Sequence, residues 1–143
     1  MTERPDPMRI VADVDVLAAD LLVDGTAREA MSMIRESATL SAVCSEELLS
    51  ESREIIATLG DPTLAAAWER RARADFDIVE MRGDGHGALL TAAAGRAGTV
   101  LSHDEALQSV AAGVAIREHI ETSVKSPDAF VSLVDPSRFE SPT

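Results

Sequence analysis

The sequence predicts an α/β domain, a three-layer α/β/α arrangement around a central parallel sheet of four to five strands. Three observations predict it. Arg9-Ile-Val-Ala-Asp-Val-Asp-Val-Leu17 is a β-branched apolar run that ends in acids and passes straight into an alanine/leucine-rich segment, as a buried parallel strand feeding a helix does. Strand-like and helical runs then alternate down the chain. No internal repeat or linker interrupts them, and 143 residues are enough for one domain with its own core.

Taken in order, residues 1–8 read as a flexible lead-in, 9–134 as the domain and 135–143 as a frayed tail. The first strand covers about 9–14 and a short helix about 15–22. Asp24-Gly25 breaks it, and Thr26 is expected to cap a helix from Ala27 to about Ser37, with Glu29 as capping-box partner. Ala30, Met31, Met33 and Ile34 give that helix its apolar face. Thr39 to Cys44 alternates weakly and reads as the second strand.

Ser45 caps the helix Glu46–Leu59, with Leu48, Leu49, Ile55 and Ile56 expected inward and Glu47, Glu51 and Glu54 on other faces. Gly60 stops it, and Asp61-Pro62 restarts a helix that runs to about Ala74. Its Arg70-Arg71-x-Arg73 cluster reads as a solvated helix end before it reads as a phosphate contact, because cations suit a last turn. Trp68 is expected in the core. Phe76–Met81 is the third strand, Arg82-Gly-Asp-Gly-His-Gly87 a loop, and about 88–96 an alanine-rich helix. Thr99–Ser102 is the fourth strand, opening onto His103-Asp104-Glu105 and a helix over about 105–112. An extended piece near Thr122–Val124 and a proline-started helix at Pro127–Val134 complete the set.

Composition narrows the function. Hydrophobic residues make up 45% but are mostly alanine, valine and leucine; aromatics are 3% and tyrosine is absent, so there is little surface on which bases could stack. The net charge is −12, and Lys125 is the single lysine among 13 basic residues. Excess acid with arginine in place of lysine resembles proteins adapted to high salt, where dense carboxylates maintain solubility. Such a field repels nucleic acid at ordinary ionic strength, but molar salt screens it to about 3 Å, which leaves an RNA substrate open. No apolar run is long enough to span a membrane and the first residues are polar, so the expectation is a cytoplasmic protein with no membrane contact. Cys44 is the only cysteine and lies in an apolar run, as an inert core thiol does.

The candidate site comes from acids at strand ends. Asp13 ends the first strand and Asp104 follows the fourth, so both emerge at one edge of a parallel sheet, where ligands bind. Glu51 lies in the helix after the second strand, while Asp84 and His86 precede the helix leading to the fourth. Converging carboxylates repel unless a cation or proton compensates them, and hard oxygen donors suit Mg²⁺ or Mn²⁺. Helix capping by Asp13 and Ser102, with Asp15 in a dipole-favoured first turn, is the plainer reading of the same residues.

In order and spacing these motifs resemble PIN domains (the PilT N-terminus fold), a family of metal-dependent ribonucleases that includes toxins of toxin–antitoxin pairs. The resemblance covers about residues 9 to 133 and rests on Asp13-Val-Asp-Val-Leu17, Ser45-Glu-Glu-Leu-Leu-Ser-Glu51, Val100-Leu-Ser-His-Asp104-Glu-Ala-Leu107 and Val124-Lys-Ser-Pro-Asp-Ala-Phe130. Two positions depart. The family's third acid falls on His86, with Asp84 two residues earlier, and a later aspartate is replaced by Ala106. The resemblance implies hydrolysis of single-stranded RNA, with Asp13, Glu51 and Asp104 as catalytic metal ligands and Asp84 or His86 completing the set. Asp15 and Ser102 would support them from behind. It also implies a homodimer and an antitoxin-like protein partner, and its alternative is a non-catalytic PIN-like module with a degenerate acid cluster. Asp13-Val-Asp15 resembles haloacid-dehalogenase-type phosphatases too, but these need a late pair of adjacent aspartates that the chain lacks.

Overall fold

A computed structural model of the chain describes residues 5–83, 85–107 and 122–134. Its elements are β1 (Asp6–Ala12), α1 (Val14–Leu22), α2 (Thr26–Glu36), β2 (Ser41–Ser45), α3 (Glu46–Leu59), α4 (Pro62–Asp75), β3 (Asp77–Val79), α5 (Gly87–Gly95), β4 (Ala97–Leu101), β5 (Ser123–Lys125) and α6 (Pro127–Val134). The five strands form one parallel sheet in the order β3-β2-β1-β4-β5, covered by helices as a three-layer α/β/α domain. The chain steps outward from β1 through β2 to β3, then returns to lay β4 and β5 on the other side of β1. The strand order therefore reverses at β1, and a crevice opens beside its C-terminal end.

Local chemistry accounts for most boundaries. Ser45 caps α3 by accepting from the Leu48 N–H (3.3 Å), and Asp61 caps α4 by accepting from that of Leu64 (2.9 Å), with Pro62 at the first helical position. Several expectations are corrected, the third strand among them, which is only Asp77–Val79. Asp6, Pro7 and Met8, assigned to the lead-in, belong to β1; the proline is accommodated where the β1–β4 register is irregular, so its missing N–H breaks no regular ladder. The cap of α2 is Gly25 with no side-chain bond, and Thr26 is already helical, so the Thr26–Glu29 capping box does not form. Ile55, expected inside, is 36% exposed, because the buried stripe of α3 runs through Leu48, Leu49, Ser52 and Ile56.

The core lies on both faces of β1, β2 and β4, with Ile10, Val11, Val43, Val100 and Leu101 packed under Leu17, Met31, Leu48 and Trp68. Cys44 is buried there, and burial pushes its thiol up to about 12, so it is inert as expected. On α4, Arg73 is engaged by Glu46 (2.7 Å) and Glu69 (2.9 Å), whereas Arg70 and Arg71 are exposed.

Small residues let α5 lie close on the sheet. A Cβ on Gly95 would stand 2.6 Å from Val43 Cγ1, a stiff buried branch, while Arg9 Nε donates to the Gly95 carbonyl at 2.6 Å. Gly95→Ala is therefore expected to cost about 1–3 kcal/mol through overpacking. Chemical denaturation with an unchanged m-value checks it.

Candidate functional site

The crevice beside β1 is where the predicted acids gather. A cavity of about 730 Å³ is lined at one end by Asp13, Asp15, Glu51, His86 and Asp104. Four backbone elements supply them: the end of β1 and start of α1, the second turn of α3, the start of α5, and the segment after β4. Asp84 lies outside the described residues, as does the helix expected over 105–112 beyond its first residues at 105–107.

Asp13 is buried and doubly held. Its Oδ1 accepts from the Val14 N–H at 2.8 Å, capping α1, and its Oδ2 accepts from the Ser102 hydroxyl at 3.1 Å. The Ser102 oxygen in turn accepts from the Asp104 N–H at 3.1 Å. Asp104 Oδ1 accepts from the Ala106 N–H at 2.9 Å, capping the turn that follows β4. The capping and site readings thus describe the same atoms: the bonds that start two helices also orient two carboxylates and tie β1 to β4.

Asp15 is placed differently. Its Oδ2 accepts from the His103 N–H at 3.0 Å, but its Oδ1 is buried with no hydrogen-bond partner among the described residues. Burial raises its pKa; the His103 N–H opposes that rise, and the charge of Asp13 adds to it. The folded protein then binds a proton at Asp15 more tightly than the unfolded chain does. This makes stability fall as pH rises through the mildly acidic window above the ordinary aspartate value. Asp15→Asn is expected to remove that slope and to melt higher than the parent at neutral pH. Melting curves from about pH 4 to 7 check it, and two parallel profiles would contradict it.

His86 caps α5, with Nδ1 accepting from the Ala88 N–H at 3.2 Å. In the neutral ring the proton is then on Nε2, which lies 3.7 Å from Asp13 Oδ2. Ligating a metal through Nε2 would move that proton to Nδ1 and break the cap, so His86 is set up as a donor rather than as a ligand. A buried Ser45–Thr91 hydroxyl pair (2.8 Å), with Thr91 donating to the Gly87 carbonyl (2.7 Å), fixes this helix start against β2. Glu51 is exposed on the cavity wall and makes no hydrogen bond or ion pair with described residues.

Asp13, Glu51 and Asp104 therefore line one cavity, but among the described residues no three His, Cys, Asp or Glu side chains are grouped to hold a metal ion. Sequence reasoning missed the rest of the cavity, an apolar trough between α1 and α3 lined by Ala18, Ala19, Leu22, Ile55 and Leu59. Its signal was present in the spacing of Glu51, Ile55 and Leu59, a second helical stripe beside the buried one. Among the described residues no helix is long and apolar enough to cross a membrane.

Residues 4–141 match a family of unknown function (DUF7384). No curated protein matches the sequence.

Proposed function

The chain belongs to this family of unknown function, and we propose that its acidic crevice is the centre of a divalent-metal-dependent endoribonuclease of PIN-like type, acting on single-stranded RNA. The observation that carries this reading is the buried Oδ1 of Asp15, without a hydrogen-bond partner among the described residues, beside the buried carboxyl group of Asp13. The motif order Asp13-Val-Asp15, Ser45 to Glu51 and Ser102-His-Asp104 supports it, since these acids line one cavity at the point where the strand order reverses.

Among the described residues the donor set suits Mg²⁺ or Mn²⁺ held by two carboxylates and several waters. Asp13 and Asp104 would hold the ion, each with lone pairs left over from capping, and Glu51 would reach it through water. Such an ion lowers the pKa of a bound water and neutralises charge on a phosphate oxygen. The protein's own part is positioning. Ser102 holds Asp13 and the Asp104 backbone in one geometry, and His86, a lining residue of the cavity with its Nε2 3.7 Å from Asp13 Oδ2, would donate to a phosphate oxygen.

Incubating a mixed RNA pool with the protein in molar potassium chloride, with Mn²⁺, with Mg²⁺ and with chelator, tests the proposal. Ion-dependent cleavage is expected. Intact RNA together with a melting curve that neither ion shifts at millimolar concentration would overturn it. His86, which stands at the place of the PIN family's third acid, is engaged in capping α5 through Nδ1, and this favours a second reading, a PIN-like module that binds without cutting.

A further inference from the structure

The cavity changes character along its length, and both of its walls change together. On α3, Glu51, Ile55 and Leu59 follow one another at four-residue spacing; on α1 the same spacing runs from Asp15 through Ala19 to Val23 at the C-cap. Each wall therefore begins with a carboxylate and ends in apolar side chains, and a helix rises about 12 Å over that span. Val23 (56% exposed), Ile55 (36%) and Leu59 (70%) leave apolar surface open to water along this trough. The whole cavity, about 730 Å³, has the size of a small-molecule site, which is typically about 300–1,000 Å³.

The carboxylate end calls for a cation. Among the described residues no lysine or arginine lines the cavity, while Asp13, Asp15, Glu51 and Asp104 do. The starts of α1 and α5 add about half a positive charge each, which four carboxylates outweigh. Asp15 Oδ1 is buried and accepts no hydrogen bond from the described residues, so it is short of a donor. An ammonium group brings three N–H donors, and its nitrogen sits about 2.8 Å from a carboxylate oxygen, against about 2.1 Å for Mg²⁺. It therefore needs no compact group of three ligands, and none forms among the described residues. We propose that the cavity binds a primary alkylamine, one ammonium group on an unbranched chain of about eight to ten carbons, the length of the trough. It enters as a single dissolved molecule. The nitrogen occupies the carboxylate end beside Asp13 and Asp15, and the chain lies between α1 and α3 against Ala19, Ile55 and Leu59. This ligand goes beyond the hydrolase reading and does not rest on it, because its binding is measured without RNA or metal.

Titration calorimetry of the full chain with n-octylamine, kept below the concentration at which it aggregates, tests the proposal. Three probes accompany it: n-butylamine with the same charge on a shorter chain, n-octanol with the chain alone, and octanoate with the opposite charge. Saturable binding of one octylamine per chain is expected, about tenfold or more tighter than butylamine, since each added methylene that is buried strengthens binding about threefold. Octanol and octanoate are expected not to saturate. The paired change Ile55→Gln and Leu59→Gln is expected to narrow the difference between the two amines to about threefold or less. Both positions are on the surface, and melting of the variant confirms that it folds. Equal affinity for the two amines would mean charge attraction only, and equal affinity for octanol an apolar surface only. Either result would overturn the proposal, as would no binding or an undiminished difference in the variant. Sedimentation of the protein alone adds a further arm: a dimer dissolved by the same pair of changes would assign the trough to a second copy and likewise overturn it.

Discussion

Replacing Asp13 with asparagine is expected to abolish ion-dependent RNA cleavage, by at least about a hundredfold, while leaving the domain folded. The two effects separate because of the bonds Asp13 makes. The amide oxygen of asparagine can still accept from the Val14 N–H and so keep the cap of α1. Its amino group would face Ser102, whose hydroxyl oxygen can accept from it as well as from the Asp104 N–H. The buried Ser102 O–H loses its acceptor in the exchange, so the stability cost is about 1–3 kcal/mol. The lost carboxylate charge has no substitute, since asparagine cannot neutralise a bound divalent ion. Single-turnover cleavage beside melting curves titrated with Mn²⁺ checks both halves. Cleavage that survives in a folded Asp13→Asn protein would remove Asp13 from the reaction.

The largest expected loss of stability comes from Leu101→Ala. Leu101 is fully buried in β4, with its backbone between Ala12 on β1 and Lys125 on β5, and its carbonyl accepts from the Asp13 N–H at 2.8 Å. Truncation forfeits the transfer free energy of the side chain and leaves a cavity that a sheet bonded on both sides can close only partly. A cost of about 2–5 kcal/mol follows, a large share of the roughly 5–15 kcal/mol that hold a domain together. A fall in melting temperature of about 5–15 °C is the readout. Because Asp13 and Ser102 hang from the same two strands, ion-dependent stabilisation of this variant is also expected to weaken. A loss under about 1 kcal/mol would mean that the sheet closes around the gap.

How much of this was legible beforehand depended on how local each cause was. The caps at Ser45 and Asp61, the extent of α3 and the proline-started α6 were readable because each is decided by atoms a few residues apart. Pro7 inside β1 was not, since a proline penalises a strand unless the partner's register slips, and that slip belongs to β4. The orientation of Ile55 also escaped, because Leu48, Leu49, Ile55 and Ile56 form one plausible apolar face until Ser52 is seen to be the buried member. The role of His86 turned on which ring nitrogen caps α5, a matter of three-dimensional placement.

By itself, then, the sequence determined the α/β alternation, the acids at two strand ends and an acidic, lysine-poor surface, all set by periodicity and residue chemistry along a continuous stretch. Tertiary structure decided the rest. The return of the chain to β4 beside β1 placed Asp13 and Asp104 around one cavity, and α1 against α3 opened the apolar cleft that runs away from it. The physical reason is separation along the chain: Asp13 and Ser102 share a hydrogen bond across 89 positions, and no local preference can specify a contact of that length.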